Sequence, residues 1–249
     1  METLKHPRQD HRGRAAKTAR FRQQDLDSCN FQIMYPTGNL LIPVVHGQLE
    51  AIIKEPRNDA LSGVALVLHP HPLGGGTMHN KVVFRAAAAL NDAGLLTLRI
   101  NFRGVGKSTG AHDEGRGELD DVRAGLQYLE ENYPGLTVTL CGFSFGARVG
   151  LEVGINDDRV RNLISIGTPV NKYEFTFLES CRKPILFVHG DADEFGEVSR
   201  LLALVAQIRK HNSSVDVKVI KGADHFFKGH LEELKQAITD WIRTQTEAS

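Results

Sequence analysis

Apolar residues enter this chain in short blocks from about Asn39 onward. Leu40 to Val45 and Leu49 to Lys54 are β-like runs around His46-Gly47, the pattern of a hairpin. Val64 to His69 is a continuous apolar run, as expected of a strand buried on both faces. Helical spacing replaces it from Asn80 to Asp92 and stops at Gly94. Leu95 to Asn101 is the next strand. A glycine-containing loop follows from Arg103 to Gly117, and then an amphipathic helix from Glu118 to Glu131, ahead of Pro134. Strand 136–141, helix 147–155, strands 163–167 and 184–189, helix 197–210, strand 215–220 and a helix from Leu231 to Arg243 complete the series. A short helix is expected around Tyr173 to Leu178.

Strands that alternate with helices at this spacing predict βαβ crossovers. The fold class is therefore α/β, with a mostly parallel sheet covered by helices on both faces. The opening hairpin should add antiparallel strands at one edge. In such sheets chemistry gathers at the carboxyl ends of strands. That draws attention to the loops at His69–Gly76, Asn101–Gly110, Gly142–Gly146, Thr168-Pro169, His189–Glu194 and Lys221–Phe227.

With 249 residues, 41% of them hydrophobic, the chain can fill one sizeable core. Residues 1–30 carry many Arg, Lys, His and Gln without apolar periodicity and read as a disordered or loosely docked basic extension. Residues 31–249 read as a single domain, and Met34 stands where a natural start would fall. No apolar h-region follows the basic residues, so no signal peptide is expected. Thirty basic residues balance thirty acidic ones, which speaks against a nucleic-acid-binding surface for the chain as a whole. No run of about 18 apolar residues predicts a membrane span. Cys29, Cys141 and Cys181 lack metal-site or disulfide spacing, which suits a reducing, cytoplasmic setting. Cys141 is expected at a strand end and Cys181 in a loop.

The candidate chemistry centres on Gly142-Phe143-Ser144-Phe145-Gly146, between a strand and a helix. Gly-x-Ser-x-Gly there is the form of a nucleophile elbow, with the serine exposed on a sharp turn. A serine nucleophile needs a base and a carboxylate to orient that base. His225 stands after strand 215–220 and Asp193 after strand 184–189, so Ser144, Asp193 and His225 occur in the order Ser…Asp…His. Asp191 and Asp224 are competing carboxylates. The Phe145 N–H is one expected oxyanion donor. The second should come from His69-Pro70-His71-Pro72-Leu73-Gly74. The prolines cannot donate, so Leu73 is preferred, with His71 or Gly74 behind it.

Three other motifs read as structural. His69 and His71 have the spacing of a metal pair, but no acidic residue adjoins them, so hydrogen bonding is expected and no metal is assigned. Gly104-Val105-Gly106-Lys107-Ser108 is not a phosphate loop, because Asn101 stands where a Walker A sequence has its first glycine. Thr109 breaks the dinucleotide fingerprint in the same way. The arginine and glycines of this loop are expected to shape one wall of the site. Glu118, Asp120 and Asp121 look like the charged first turn of a helix.

Taken together, HPHPLGGGTMHNKVV, NFRGVGKSTGAHDEGRGELDD, GFSFGA, HGDADEFG and GADHFF resemble the α/β-hydrolase superfamily over roughly residues 38 to 245. They are most similar to its small, uncapped, carboxylesterase-like bacterial branch related to dienelactone hydrolases. The resemblance implies the α/β-hydrolase fold, a Ser144–Asp193–His225 triad and an oxyanion hole after the first parallel strand. His-Pro-His-Pro replaces the usual His-Gly, and Ser144 replaces the cysteine nucleophile of dienelactone hydrolases. Thr168 to Lys183 is too short to hold a cap domain. Tyr173, Phe175, Phe177 and Phe226 are candidate apolar walls of an open site, beside His71. The expected activity is hydrolysis of small carboxylic esters, with no cofactor and a small-molecule ester as the partner. Thioester or peptide cleavage on the same triad is the alternative within this chemistry, and a non-catalytic binding protein the alternative outside it. The oligomeric state is not legible in the sequence.

Overall fold

The computed structural model describes residues 38–56 and 61–247. The basic extension assigned to residues 1–30 and Cys29 lie outside them. One eight-stranded sheet runs through the described chain in the order β1-β2-β4-β3-β5-β6-β7-β8. Its strands are β1 (Gly38–Val44), β2 (Gly47–Lys54), β3 (Gly63–Leu68), β4 (Leu95–Ile100), β5 (Val138–Phe143), β6 (Val160–Ile166), β7 (Ile185–Gly190) and β8 (Val215–Ile220). The hairpin β1–β2 is antiparallel, and β2 joins β4 antiparallel. Every other pairing is parallel. The expected architecture is therefore the observed one, hairpin edge included.

The helices are α1 (Lys81–Asp92), α2 (Arg116–Asn132), α3 (Phe145–Gly154), α4 (Val198–Ile208) and α5 (Leu231–Glu247). β3, β4, β5 and β7 are buried along their whole length, which is why they read as unbroken apolar runs. Alternate residues serve opposite faces. Ala65 and Val67 join Val83, Leu90, Ile238 and Ile242 in the core beneath α1 and α5. Leu66 and Leu68 turn the other way, toward Gly125 of α2 and Gly150 of α3. A Cβ on Gly150 would stand 2.8 Å from the end of the Leu68 side chain, so the glycine lets this helix lie close to the sheet without displacing that leucine.

The connection from β6 to β7 holds a single 3₁₀ turn, Thr176–Ser180, later and tighter than the helix expected at Tyr173–Leu178. Among the described residues no cap stands over the carboxyl ends of the strands. Cys141 and Cys181 are both free and buried, and burial pushes both thiols up, away from reactivity. Among the described residues no helix is long and apolar enough to cross a membrane.

Candidate active site

β5 runs to Phe143 and α3 begins at Phe145, so Ser144 is the single residue between strand and helix. Its backbone sits at φ 56°, ψ −117°, a conformation that costs an ordinary L-residue energy. The surroundings impose it. The Ser144 N–H donates to the Ile166 carbonyl of β6 at 2.9 Å. A Cβ on Gly142 would collide with the Gly146 carbonyl, and one on Gly146 would come within 2.8 Å of the Leu68 carbonyl. The glycines let the start of α3 press against the end of β3, and that pressure holds the serine up.

Ser144, His225 and Asp193 come together at the carboxyl ends of β5, β8 and β7. The Ser144 hydroxyl is 2.9 Å from His225 Nε2. His225 Nδ1 is 2.8 Å from Asp193 Oδ2, and the fully buried Asp193 side chain accepts that proton-bearing nitrogen. The second carboxylate oxygen, Oδ1, accepts the N–H groups of Phe195 at 2.8 Å and Gly196 at 3.1 Å. The rival carboxylates are engaged elsewhere. Asp191 accepts the Gly222 N–H at 2.5 Å, which ties the aspartate loop to the histidine loop. Asp224 accepts the Lys228 N–H at 2.9 Å. Rings of Phe143, Phe195 and Phe226 surround the His225 imidazole at 5.0, 4.6 and 5.2 Å.

His189 supports the aspartate loop from below, a role the sequence did not signal. Its Nε2–H donates to the Gly196 carbonyl at 2.6 Å, and burial lowers its pKa, so it stays neutral beside the carboxylate. His69 does the same for the opposite wall. Its Nδ1–H donates to the Pro70 carbonyl at 2.6 Å, and Nε2 accepts the Phe102 N–H at 3.0 Å. Burial pulls its pKa down to about 4. With both nitrogens spent, His69 fastens the loop after β3 to the loop after β4.

The first turn of α3 leaves the Phe145 N–H without an intrahelical acceptor. Leu73, the first choice for the second oxyanion donor, is differently disposed. Its N–H donates to His71 Nδ1 at 3.2 Å, capping the 3₁₀ turn Pro72–Gly74. The Gly74 N–H donates to the His71 carbonyl at 3.0 Å. Among the described residues the His71 N–H has no acceptor, which reverses the order of preference. Burial and the neighbouring His112 hold the His71 imidazole below the ordinary histidine range, so Nδ1 remains an acceptor.

The loop after β4 departs from expectation in what it walls. Glu118 stands in the first turn of α2, as expected, and it and Asp121 are buried, while Asp120 is exposed and paired with Arg123 at 2.7 Å. Asp121 accepts the Arg103 guanidinium at 2.8 Å and the Arg103 N–H at 2.8 Å, with His46 Nε2 at 3.0 Å. Glu118 accepts from His112 Nδ1 at 2.7 Å and from the N–H groups of Asp113 and Gly115. These acids fold the loop over the sheet edge. Arg103 consequently does not wall the serine's cavity; it faces a separate one of about 580 Å³ between the hairpin and α2. The Lys107 N–H is taken by the Glu50 carboxylate at 2.9 Å, so the Gly104–Ser108 loop is no anion cradle. Among the described residues no group of His, Cys, Asp and Glu is arranged to hold a metal ion.

Ser144 and His225 open into a cavity of about 420 Å³ walled by Phe145, Tyr173, Phe195 and Phe226. His71 and Leu73 line it as well, and Leu73 is largely exposed at its edge. Tyr173, Phe226 and His71 thus stand where the sequence suggested, whereas Phe175 and Phe177 do not. Phe175 is buried, and the Arg148 guanidinium lies over both rings at 5.9 and 4.6 Å, behind the cavity wall. Phe195 and Lys172 belong to the lining and were not foreseen. Phe195 follows Asp193 by two residues, and that proximity was the available signal.

Comparison with known proteins bears on this arrangement. Residues 63–248 match the family described as an alpha/beta hydrolase domain. An uncharacterized protein of Rickettsia prowazekii (strain Madrid E) is 42% identical, over 73% of this chain and 79% of its own. Among solved structures, an alpha-beta serine hydrolase homologue from Coxiella burnetii is 41% identical, with a TM-score of 0.78. That match covers 83% of this chain and 98% of the other. A serine hydrolase without a lid from Xanthomonas campestris is 33% identical, with a TM-score of 0.77, over 85% of this chain and 96% of its own.

Proposed function

The chain belongs to the alpha/beta hydrolase domain family, and from that premise we propose that it is a serine hydrolase of small carboxylic esters. The observation that carries this reading is the unbroken hydrogen-bond chain from Ser144 through His225 to Asp193, at 2.9 and 2.8 Å, opening into an aromatic cavity.

In the proposed mechanism His225 Nε2 takes the Ser144 hydroxyl proton as Oγ attacks the ester carbonyl. Asp193 keeps the proton on Nδ1 and stabilises the imidazolium that forms. The carbonyl oxygen gains negative charge and is met by the N–H groups of Phe145 and His71. His225 then protonates the departing alkoxide, leaving an acyl group on Ser144. A water molecule, deprotonated by His225, attacks that acyl group and releases the acid. No step calls on a cofactor. The open cavity, with no cap over it among the described residues, suits compact acyl and alcohol groups and broad acceptance.

Hydrolysis of a short p-nitrophenyl ester by wild type and Ser144→Ala tests the proposal. Loss of about 10⁴-fold or more in kcat is expected of the variant. A fluorophosphonate probe should attach to Ser144 and to no residue of the variant. Full activity in Ser144→Ala overturns the assignment.

A further inference from the structure

Outside the triad, the most closely knit group near the cavity is a triangle of rings. His112, from the loop after β4, lies 4.8 Å from the His71 ring and 5.6 Å from the Phe145 ring, and these two are 5.0 Å from each other. Each of the three comes from a different segment: the loop after β3, the start of α3 and the loop after β4. His71 and Phe145 are the two proposed oxyanion donors, and neither main-chain N–H has an acceptor among the described residues. His112 therefore packs against the side chains of both residues that carry the proposed oxyanion donors while supplying neither donor.

His112 is itself held firmly. Its side chain is 9% exposed, and Nδ1 donates to Glu118 Oε1 at 2.7 Å, where the Glu118 side chain is completely buried. The Asp113 and Gly115 N–H groups hold the same carboxylate at 3.0 and 2.9 Å. Glu118 lies in the first turn of α2, so the imidazole is anchored to a helix of the scaffold and not to a free loop. A buried carboxylate is costly unless donors surround it, and three donors at this spot fix the loop in one conformation.

We propose that His112 is a positioning residue for the oxyanion hole, holding the His71 and Phe145 main-chain donors at the separation a tetrahedral oxyanion requires. This role rests on the serine-hydrolase reading. Its physical basis is that donors stabilise a developing charge only when preorganised, and small displacements of them are expensive in rate. A binding wall would act on substrate and transition state alike. A brace behind the donors acts on the transition state alone.

The test uses the full chain and three variants. His112→Gln keeps a donor for Glu118 but removes the ring; His112→Ala removes both. The pair His112→Phe with Glu118→Gln restores a ring beside a neutral acceptor for the Asp113 and Gly115 amides. For the first two, kcat on a p-nitrophenyl ester should fall about 10- to 100-fold with KM nearly unchanged. Affinity for an aryl trifluoromethyl ketone, whose adduct carries the oxyanion, should fall by the same factor, while affinity for the product acid should not. The paired variant should recover most of both losses. Equal weakening of ketone and product acid, or unchanged kcat in His112→Gln, overturns the proposal. A wild type that neither cleaves the ester nor reacts with a fluorophosphonate overturns the hydrolase reading, and this role with it.

Discussion

Asp193 divides its two carboxylate oxygens between His225 and its own loop. Oδ2 meets His225 Nδ1 at 2.8 Å, and Oδ1 gathers the Phe195 and Gly196 N–H groups at 2.8 and 3.1 Å. The aspartate is thus fixed before it fixes the histidine, and His189 braces Gly196 in turn. Orientation passes along a chain of buried groups, none of which can turn without stranding a polar atom.

This division makes Asp193→Asn informative. The amide oxygen can keep both loop bonds, so the thermal midpoint should stay within a few degrees of wild type. The amide nitrogen then faces His225 and demands an acceptor at Nδ1, which moves the imidazole proton to Nε2. Ser144 loses its base. We expect kcat for ester hydrolysis to fall by about 10³- to 10⁴-fold with little change in KM, read from steady-state kinetics. A loss below tenfold would remove Asp193 from the mechanism.

The second oxyanion donor can be addressed at His71. Its φ of −51° lies within the range that proline adopts, so His71→Pro deletes the N–H with little backbone strain. A loss of about 10²- to 10³-fold in kcat is expected. His71→Ala keeps the N–H but forfeits the cap on Leu73 and the ring contacts with His112 and Phe145, so its loss should be smaller, about that of His112→Ala. Equal kinetics for the two variants would return the assignment to Leu73 or to another donor.

His69 predicts an acid sensitivity of the fold. Its pKa is about 4 in the folded chain because burial excludes the charged form, against an ordinary value of 6.5 when unfolded. Between these values the unfolded chain binds the extra proton. Stability from this group is therefore complete above about pH 6.5 and drains away as pH falls toward 4. From pH 7 to 4.5 the loss should be about 2–3 kcal/mol. His69→Gln, compared with wild type by urea unfolding at both pH values, should be less stable at pH 7 and show a shallower decline. An identical pH slope in both proteins would refute the assignment.

The sequence alone determined the order of elements, the parallel sheet with its hairpin edge, and the strand end that carries each of Ser144, Asp193 and His225. It could do so because burial on one or two faces imposes a period on the chain, and sharp turns demand glycine. Only the tertiary structure decided matters of direction. It separated Asp193 from Asp191 and Asp224, turned the Leu73 N–H onto His71, and buried Glu118 and Asp121 under the loop after β4. It also withdrew Phe175 and Phe177 from the cavity and put Phe195 and Lys172 into its wall. A hydrogen bond or a ring contact depends on where two distant backbones approach and which way each side chain leaves, and no local period in the sequence records that.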